Sequence, residues 1–469
     1  MDTKKLRQKI LDLAIRGKLV PQDPNDEPAS VLLERIRAEK EQLIKEGKIK
    51  RSKKSAATDK SHYENAPFEI PENWVWTTLG EISNYGQCEN VDVDKIAANE
   101  WILELEDIEK DSGRIIQKLC KDDRKACGTR HKFYRNEILY SKLRTYLNKV
   151  LVAPSSGFCT SEIIPIHCIE TNPWFICFVL RSNYFLDYTA SLGYGVKMPR
   201  LGTNDALISY IPLPPLSEQA RIVDEVAKWN IIIDEIEDDK LELEAYVKKT
   251  KSKILDLAIS GKLVPQDPDD EPAIELLKRI NPGFEPCDNS HYENLPENWC
   301  LAKVKDVFVI NPRNKAEDNT IAGFIPMTLI DDGYSNTFSY EKRQWGSIKT
   351  GFSHFADGDV AVAKISPCLE NRKSIVLRDL PNAIGAGTTE LHVFRSSVVV
   401  PEYALYFFKS EYFISKCVGT FNGVVGQQRV GKNIIEEIQI PIPPINEQTK
   451  IVSTIETIFT QLNTITAEL

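Results

Sequence analysis

KILDLAIRGKLVPQDPNDEPA at residues 9–29 returns at residues 253–273 as KILDLAISGKLVPQDPDDEPA. The two stretches differ at two positions only, which are Arg16 against Ser260 and Asn25 against Asp269. Two further motifs recur: SHYEN at 61 and 290, and PLPPLSEQARIV at 212 against PIPPINEQTKIV at 441. The copies are far longer than a solenoid repeat of roughly 20 to 50 residues. We therefore interpret the chain as a tandem duplication of one large unit.

The composition is that of a globular protein with more than one core. The chain has 469 residues, of which 42% are hydrophobic, and this is enough to bury two or more cores. The N-terminal sequence MDTKKLRQKI is not apolar, and no run approaches the roughly 18 apolar residues of a membrane span, so we expect a cytoplasmic protein. Ten cysteines without a CxxC pair and six histidines without HxH or HExxH spacing predict reduced thiols and no metal site.

Charge is segregated along the chain. The net charge is −9, but residues 110–149 carry twelve Lys or Arg against four Asp or Glu. A weaker basic region at 341–378 carries seven against four, whereas residues 216–247 carry three basic and ten acidic side chains. Two basic lobes joined by an acidic spacer are typical of a protein that contacts a polyanion at two places.

A heptad pattern follows Leu216. Apolar residues alternate at spacings of four and three, and neither Pro nor Gly occurs between Pro215 and Gly261. The pattern predicts a coiled-coil helix of roughly 65 to 70 Å, with Ser217 and Gly261 at its ends. The predicted seam residues are Ile222, Val226, Trp229, Ile233, Ile236, Leu243, Val247, Ile254 and Leu257.

The second copy of this helix is divided between the two ends of the chain. Its predicted seam residues are Ile451, Ile455, Ile458, Leu462 and Ile465 at the C-terminal end, and Leu6, Ile10 and Leu13 at the N-terminal end. Because a pseudo-two-fold axis relates the copies, we expect a composite helix that packs antiparallel against the central one. Met1 and Leu469 are then expected to lie close together.

The remaining sequence forms two divergent lobes, in which short apolar runs are broken by Gly, Asn and Asp. The predicted fold class is α+β, with two pseudo-symmetric mixed α/β lobes separated by an antiparallel pair of long coiled-coil helices. The predicted domains are 1–66 (N-terminal helix and basic linker), 67–215 (first lobe), 216–289 (central helix and loop), 290–444 (second lobe) and 445–469 (C-terminal helix). KEGKIKRSKK at 45–54 has no counterpart in the second copy and is predicted to be a flexible charged linker or an auxiliary phosphate contact.

The doubled motifs ILDLAIxGKLVPQ and PPLxEQxxIV (PPINEQTKIV in the second copy) resemble those of the specificity subunit of Type I restriction-modification systems. The resemblance covers the whole chain and implies a non-catalytic subunit whose lobes are target recognition domains. Each lobe is then expected to read one half of a bipartite, asymmetric target in double-stranded DNA. In the first lobe the family-like pattern GDILxxKxRP reads NEILYSKLRT, which departs from it at Asn136 and Thr145.

The resemblance also implies partner proteins. Two methylation subunits are expected to dock on the helices, and restriction and translocation subunits to join through this methylation core. AdoMet, ATP and Mg are expected on these partners, and no cofactor is expected on this chain.

Two segments of each lobe are predicted to contact DNA. Arg and Asn side chains can make bidentate hydrogen bonds to bases, whereas Lys more often holds phosphate. The alternative for each segment is a solvated basic loop. The candidates are Lys142, Arg144, Tyr146, Asn148, Lys149, Lys197 and Arg200 in the first lobe, and Lys364, Ser366, Asn371, Arg372, Lys373, Gln427, Gln428 and Arg429 in the second.

Two other functions are compatible with the sequence. NPWF at 172–175 is one residue away from the NPPF or NPPY tetrapeptide of DNA adenine methyltransferases, and FNGVVG at 421–426 could pass for a glycine-rich cofactor loop. VPEY at 400 occupies the place of NPWF in the other copy, so we favour a helix start with Pro in its first turn. The second alternative is a coiled-coil adaptor that presents two protein-binding lobes without touching DNA, and the negative net charge favours it.

Overall fold

The computed structural model of the chain describes residues 2–51, 66–192, 199–288, 295–420 and 428–467. The chain divides into two compact units, Met1–Asp238 and Asp239–Leu469. The predicted closeness of Met1 to Leu469 lies outside the described residues, as do both copies of SHYEN. No helix in the described ranges is long and apolar enough to cross a membrane.

The first unit consists of terminal helices around a lobe of strands and short helices. Its helices are α1 (Thr3–Ile15), α2 (Ala29–Lys45), α3 (Leu79–Ile82), α4 (Pro173–Arg181), α5 (Asn183–Ser191), α6 (Thr203–Ile208) and α7 (Leu216–Ile259), the last of which continues into the second unit. Its strands are β1 (Val75–Thr78), β2 (Glu89–Asp92), β3 (Ile102–Leu103), β4 (Thr129–Phe133), β5 (Ile138–Ser141), β6 (Val150–Val152), β7 (Gly157–Cys159), β8 (Ile163–Ile166) and β9 (Tyr210–Leu213).

The second unit repeats this plan. Its helices are α8 (Ala273–Ile280), α9 (Val304–Val307), α10 (Trp345–Ile348), α11 (Pro401–Lys409), α12 (Glu411–Val418), α13 (Lys432–Glu437) and α14 (Ile445–Ala467). Its strands are β10 (Cys300–Lys303), β11 (Val309–Ile310), β12 (Ile321–Ile325), β13 (Glu341–Gln344), β14 (Ser353–Ala356), β15 (Val360–Ala363), β16 (Ser374–Val376), β17 (Ile384–Gly387), β18 (Leu391–Arg395) and β19 (Gln439–Ile442).

The two lobes share most of their sheet topology. A two-stranded antiparallel ribbon closes each lobe, β1 with β9 and β10 with β19, in the same register. The order β6-β5-β8 in the first lobe corresponds to β16-β15-β18 in the second, where β11 extends the sheet. The order β4-β7-β3 corresponds to β14-β17-β12, and a fourth strand lies at opposite edges, as β2 beside β4 and as β13 beside β12. This mixed architecture confirms the predicted α+β class with two pseudo-symmetric lobes.

The long helices pair antiparallel within each unit. In the first unit Arg7 bonds to Asp234 at 2.6 Å, while Gln22, further along the chain, bonds back to Glu218. In the second unit Lys251 bonds to Asn463, while later residues such as Asp267 pair with Lys450. In both units the partner position falls as the residue number rises, so the predicted antiparallel direction is confirmed.

The predicted seam is buried only in part. Ile10, Ile222, Val226, Ile233, Val247, Ile254, Ile451 and Ile455 are buried, whereas Leu6, Leu13, Ile236, Leu243, Leu257, Ile458 and Leu462 are partly exposed. Trp229 and Ile465 are exposed, which corrects their placement in the seam. Helix α1 also packs on its lobe: Leu11 and Ala14, which lie outside the predicted seam, share one core with Phe175 of α4. The buried face of α1 is therefore wider than a heptad stripe.

The repeated PPLxEQ motif joins the long helix to the lobe. Glu218 is fully buried, and its carboxylate accepts hydrogen bonds from the indole of Trp74 at 2.9 Å and from Gln22 at 2.6 Å. In the second unit Glu447 accepts a bond of 3.0 Å from Trp299. A buried carboxylate is stable only when its oxygens have donors, so the motif glutamate and the tryptophan require each other.

The motif glutamine holds the start of a lobe helix. Gln219 accepts a bond from the backbone nitrogen of Asn172, directly before α4, and donates to the carbonyl of Pro214. Gln448 accepts the equivalent bond from Val400, directly before α11. An amide side chain can donate and accept at once, and this is what both sites use.

Glycine is required where the first helix of each copy ends. Gly17 has φ +64°, and a Cβ atom there would lie 2.4 Å from Cγ of Pro71. Gly261 has φ +69° and would meet Pro296 at 2.5 Å. Left-handed backbone and close approach both exclude a side chain, so Gly261 terminates the long helix as predicted.

Part of the charged segment KEGKIKRSKK at 45–54, namely residues 45–51, is described, and it contacts the first lobe. The backbone of Lys50 bonds twice to the side chain of Gln87, and Arg51 pairs with Glu41. Residues 52–65 lie outside the described ranges. The prediction of a flexible linker is therefore corrected for residues 45–51.

Candidate nucleic-acid interface

The structure brings the two candidate segments of the first lobe together. The segment after β5 and the segment before α6 form a single antiparallel bridge between Leu143 and Arg200. The backbone nitrogen of Arg144 donates to the carbonyl of Pro199 at 2.8 Å, and Leu201 donates to Lys142 at 2.9 Å. Residues separated by more than fifty positions therefore share one surface.

The second lobe forms the same bridge after β15. Ile365 pairs with Arg429, Ser366 donates to the carbonyl of Gln428 at 2.8 Å, and Val430 donates to Lys364 at 2.9 Å. The candidates Lys197 and Gln427 belong to the same two loops but lie outside the described residues. The two lobes thus present equivalent segments in equivalent pairings.

A tight turn in the first lobe exposes one aromatic side chain. Residues Thr145–Leu147 form a single turn of 3-10 helix between Arg144 and Asn148, both in the left-handed region with φ of 53° and 50°. Tyr146, inside this turn, is 58% exposed. Left-handed backbone is unfavourable for most residues other than Gly, Asn and Asp, so the position of Arg144 is imposed by its surroundings.

The departure from the family-like pattern at Asn136 leaves the backbone unchanged. Asn136 has φ 68°, and Gly358 at the same place in the second lobe has φ 86°. Asparagine is one of the few residues that tolerate this conformation. Thr145, the other departure, lies in the 3-10 turn and is buried.

Asn148 and Arg372 are internal residues, which corrects their assignment as surface contacts. They are 1% and 9% exposed. Asn148 donates through Nδ2 to the carbonyl of Arg181, the last residue of α4, at 3.0 Å. Arg372 donates through Nε to the carbonyl of Lys409, the last residue of α11, at 3.0 Å. Both satisfy a helix end that would otherwise lack a donor, so neither is available to DNA.

Lys149 and Lys373 also make internal bonds. Their Nζ atoms donate to the carbonyls of Leu105 and Ile330, each at 2.7 Å. Partial burial lowers the pKa of Lys149 below its usual value. Both lysines hold the neighbouring strand-to-loop segment in place, and we leave them out of the contact surface.

In the second lobe a buried ammonium group links the end of a helix to a loop. Lys409 is completely buried, and its Nζ donates to the carbonyls of Gly333 and Ser335 at 2.7 Å and of Arg372 at 3.0 Å. In the first lobe Arg181 donates to the carbonyl of Asp111. In each lobe, the last residue of this helix, α4 or α11, thus holds a neighbouring loop in place.

Part of the basic charge of the first lobe is internal. Arg124 pairs with the buried Asp107, and Arg130 pairs with Glu104 at 2.8 Å. Both arginines are mostly buried, and burial raises the pKa of Glu104. The charge count along 110–149 therefore overstates the basic charge at the surface.

The remaining candidates form the contact surface of each lobe. Each includes an arginine bonded to a glutamate that we did not predict: Arg200 to Glu162 at 2.9 Å, and Arg429 to Glu390 through two bonds of 2.8 Å. The glutamates occupy the same place in the aligned segments CTSEIIPI and GTTELHVF, which was the signal available in the sequence. The contact surface residues are Lys142, Arg144, Tyr146 and Arg200 in the first lobe, and Lys364, Ser366, Asn371, Gln428 and Arg429 in the second.

The methyltransferase-like tetrapeptide is a helix start. Oδ1 of Asn172 accepts a bond of 3.0 Å from the backbone nitrogen of Trp174, and Pro173 is the first residue of α4. Pro401 begins α11 in the same way, which confirms the structural interpretation. FNGVVG lies outside the described residues. Within the described ranges no group of three His, Cys, Asp or Glu side chains could hold a metal ion.

The chain is similar to known specificity subunits. Residues 296–469 match the family described as Type I restriction modification DNA specificity domain. The specificity subunit of the Type I restriction enzyme EcoEI from Escherichia coli is 39% identical over an alignment of 227 residues, which covers 44% of this chain and 38% of that subunit. The EcoAI specificity subunit, also from Escherichia coli, is 40% identical over 225 residues, with the same shares covered. The matches thus span well under half the length of these relatives.

The fold is also similar to that of a solved chain. That chain comes from work on the "structural basis underlying complex assembly and conformational transition of the type I R-M system"; it is 18% identical, with a TM-score of 0.59. The alignment covers 86% of this chain and 94% of the other. This similarity is one of fold, and the sequence matches confirm the resemblance predicted from the repeated motifs.

Proposed function

Because residues 296–469 match the family described as Type I restriction modification DNA specificity domain, we propose that the chain is a DNA-recognition subunit without catalytic activity of its own. Each lobe reads one half of a bipartite DNA target. The observation that carries the proposal is the pairing, in both lobes, of two separate segments that carry basic side chains, together with an aromatic side chain in the first lobe and amide side chains in the second. Side chains of these types are the ones that reach base edges and phosphates.

The target is asymmetric, because the two contact surfaces differ chemically. The first surface includes Arg144 and Tyr146, whereas the second includes Ser366, at the position of Arg144, and Asn371. An arginine suits guanine, whereas an asparagine suits adenine. Two lobes of one architecture with different surface groups therefore read two different sequences.

Two methylation subunits bind the helical parts of the two units, and restriction and translocation subunits join through them. Their duplicated docking sites include the loops GKLVPQDP, which are identical in the two copies. One partner type bound twice needs the same surface twice. AdoMet, ATP and Mg belong to these partners.

Duplex binding by the chain assembled with its methylation subunits tests the proposal. Affinity is expected to fall steeply with salt, because phosphate contacts release counterions. Arg144→Ala is expected to weaken binding by roughly 1 to 3 kcal/mol and to relax the preference at one position. Lys142→Ala is the matched control, and it is expected to weaken all sequences equally. Association that does not depend on salt, or no retention of DNA, would instead support the adaptor.

A further inference from the structure

In each lobe a lysine, a glutamate and an arginine are arranged in the same way, and we call this group the recognition triad. Its members are Lys142, Glu162 and Arg200 in the first lobe, and Lys364, Glu390 and Arg429 in the second. The backbone nitrogen of Lys142 donates to the carbonyl of Glu162 at 3.0 Å, and that of Lys364 donates to Glu390 at 2.9 Å. The triad lysines also accept a bond from the residue that follows each arginine. The lysine segment thus lies between the glutamate and arginine segments.

The glutamate fixes the arginine while both remain near solvent. Glu390 binds the Nε and Nη2 edge of Arg429, whose side chain is 44% exposed. Glu162 binds Nη2 of Arg200, whose side chain is 59% exposed. The arginines therefore stay accessible to a ligand in one defined orientation.

The pairing also removes the net charge of the arginine. Arg429 holds the pKa of Glu390 below its usual value, so the carboxylate stays ionised at neutral pH. A phosphate contact depends on uncompensated positive charge, and an arginine paired with a glutamate supplies little net charge. Base readout depends instead on the direction of the donors, which the glutamate supplies. An unpaired surface carboxylate would repel DNA, so the pairing accounts for both partners.

We propose that Glu162 and Glu390 are positioning residues for base readout: each directs its arginine towards a base edge, guanine above all, and away from the phosphates. This inference rests on the proposed function. It explains why both lobes keep the pair although their surrounding surfaces differ. It also separates the triad arginines from Arg144, whose guanidinium no carboxylate of the described residues holds.

The test uses the full chain with its methylation subunits and a pool of randomised duplexes. Bound duplexes are sequenced for the wild type, Glu390→Gln and the control Glu402→Gln, which breaks another exposed pair of the second unit, with Arg378. Glu390→Gln is expected to reduce discrimination about tenfold at one or two positions of one half-site. The released guanidinium also adds one phosphate contact, so the salt slope steepens by about 0.9. Glu402→Gln is expected to leave the sequence preference unchanged.

The outcomes separate this inference from the proposed function. If the wild type enriches no sequence, the proposed function fails, whatever the variants do. If the wild type enriches a bipartite sequence and folded Glu390→Gln enriches the same one, the glutamate is a structural link only and the inference is overturned. Glu162→Gln repeats the test in the first lobe, where a single bond is lost. If Glu390→Gln does not fold, Glu390→Asp takes its place, because aspartate keeps the charge but has a shorter side chain.

Discussion

The indole nitrogen of Trp74 donates a hydrogen bond of 2.9 Å to the fully buried carboxylate of Glu218. Trp74→Phe leaves one carboxylate oxygen with a donor fewer, and we expect the free energy of unfolding to fall by about 1 to 3 kcal/mol. Trp101→Phe is the control, since the buried Trp101 indole has no acceptor among the described residues. Thermal unfolding of both variants measures the difference. Equal losses would mean that ring volume, and not the bond, determines the effect.

Lys409 gives the second unit a pH-dependent stability. Burial lowers the pKa of Lys409 to about 7, the charge of Arg372 acts in the same direction, and Asp332 opposes both. The unfolded lysine keeps its proton up to about pH 10.5, so between these values the unfolded state binds more protons and stability rises with pH.

We therefore expect wild type to gain stability relative to Lys409→Met as the pH rises from about 7. Urea unfolding of the two proteins in parallel measures this difference at each pH. A difference that does not change with pH would show that Lys409 titrates in its usual range.

Asn148 is expected to affect folding and not sequence preference. Asn148→Ala loses the bond to the carbonyl of Arg181 and places a Cβ-bearing residue without a polar side chain at φ 50°. We expect a loss of about 2 kcal/mol. Asn148→Gly loses the same bond without the strain and should be less destabilised. Melting temperatures rank the variants, and an altered DNA preference in a folded variant would return Asn148 to the contact surface.

Exchange of one lobe is expected to change one half-site. When residues 67–215 are replaced by the corresponding lobe of a relative, methylated sites in a host should keep one half of the target and change the other. The second lobe retains its own contact surface and so its own sequence. Methylome sequencing measures this, and simultaneous change of both halves would contradict the assignment of one half-site to each lobe.

The duplication predicted the architecture because it constrains pairing geometry. Two copies of one helix motif in a chain are expected to be related by an approximate two-fold axis, and this expectation was enough to predict antiparallel helices and equivalent lobes. The period of the heptad could not predict that Trp229 is exposed, because periodicity shows which side chains share a helix face and not how much of that face a neighbour covers.

The contact surface was predictable as segments but not as residues. Charge and residue type identified both segments of each lobe, but they cannot tell a surface arginine from Arg372, whose burial follows from a left-handed backbone and a nearby helix end. The prediction rested on side chains that bond to bases or phosphates, and so it did not include Glu162 and Glu390. Only the bridge between distant segments reveals what they hold.

The middle of α7 has a consequence for hydrogen exchange. Residues 234–246, all of them described, include no buried side chain, whereas Ile233 and Val247 on either side are buried. Amides of this stretch depend on helical bonds alone, in a run rich in Asp and Glu. A short helical segment with little packing is marginal, so these amides should exchange by local opening, while the amides at both ends of α7 should exchange only when a core opens. One continuous helix is thus three segments of different local stability.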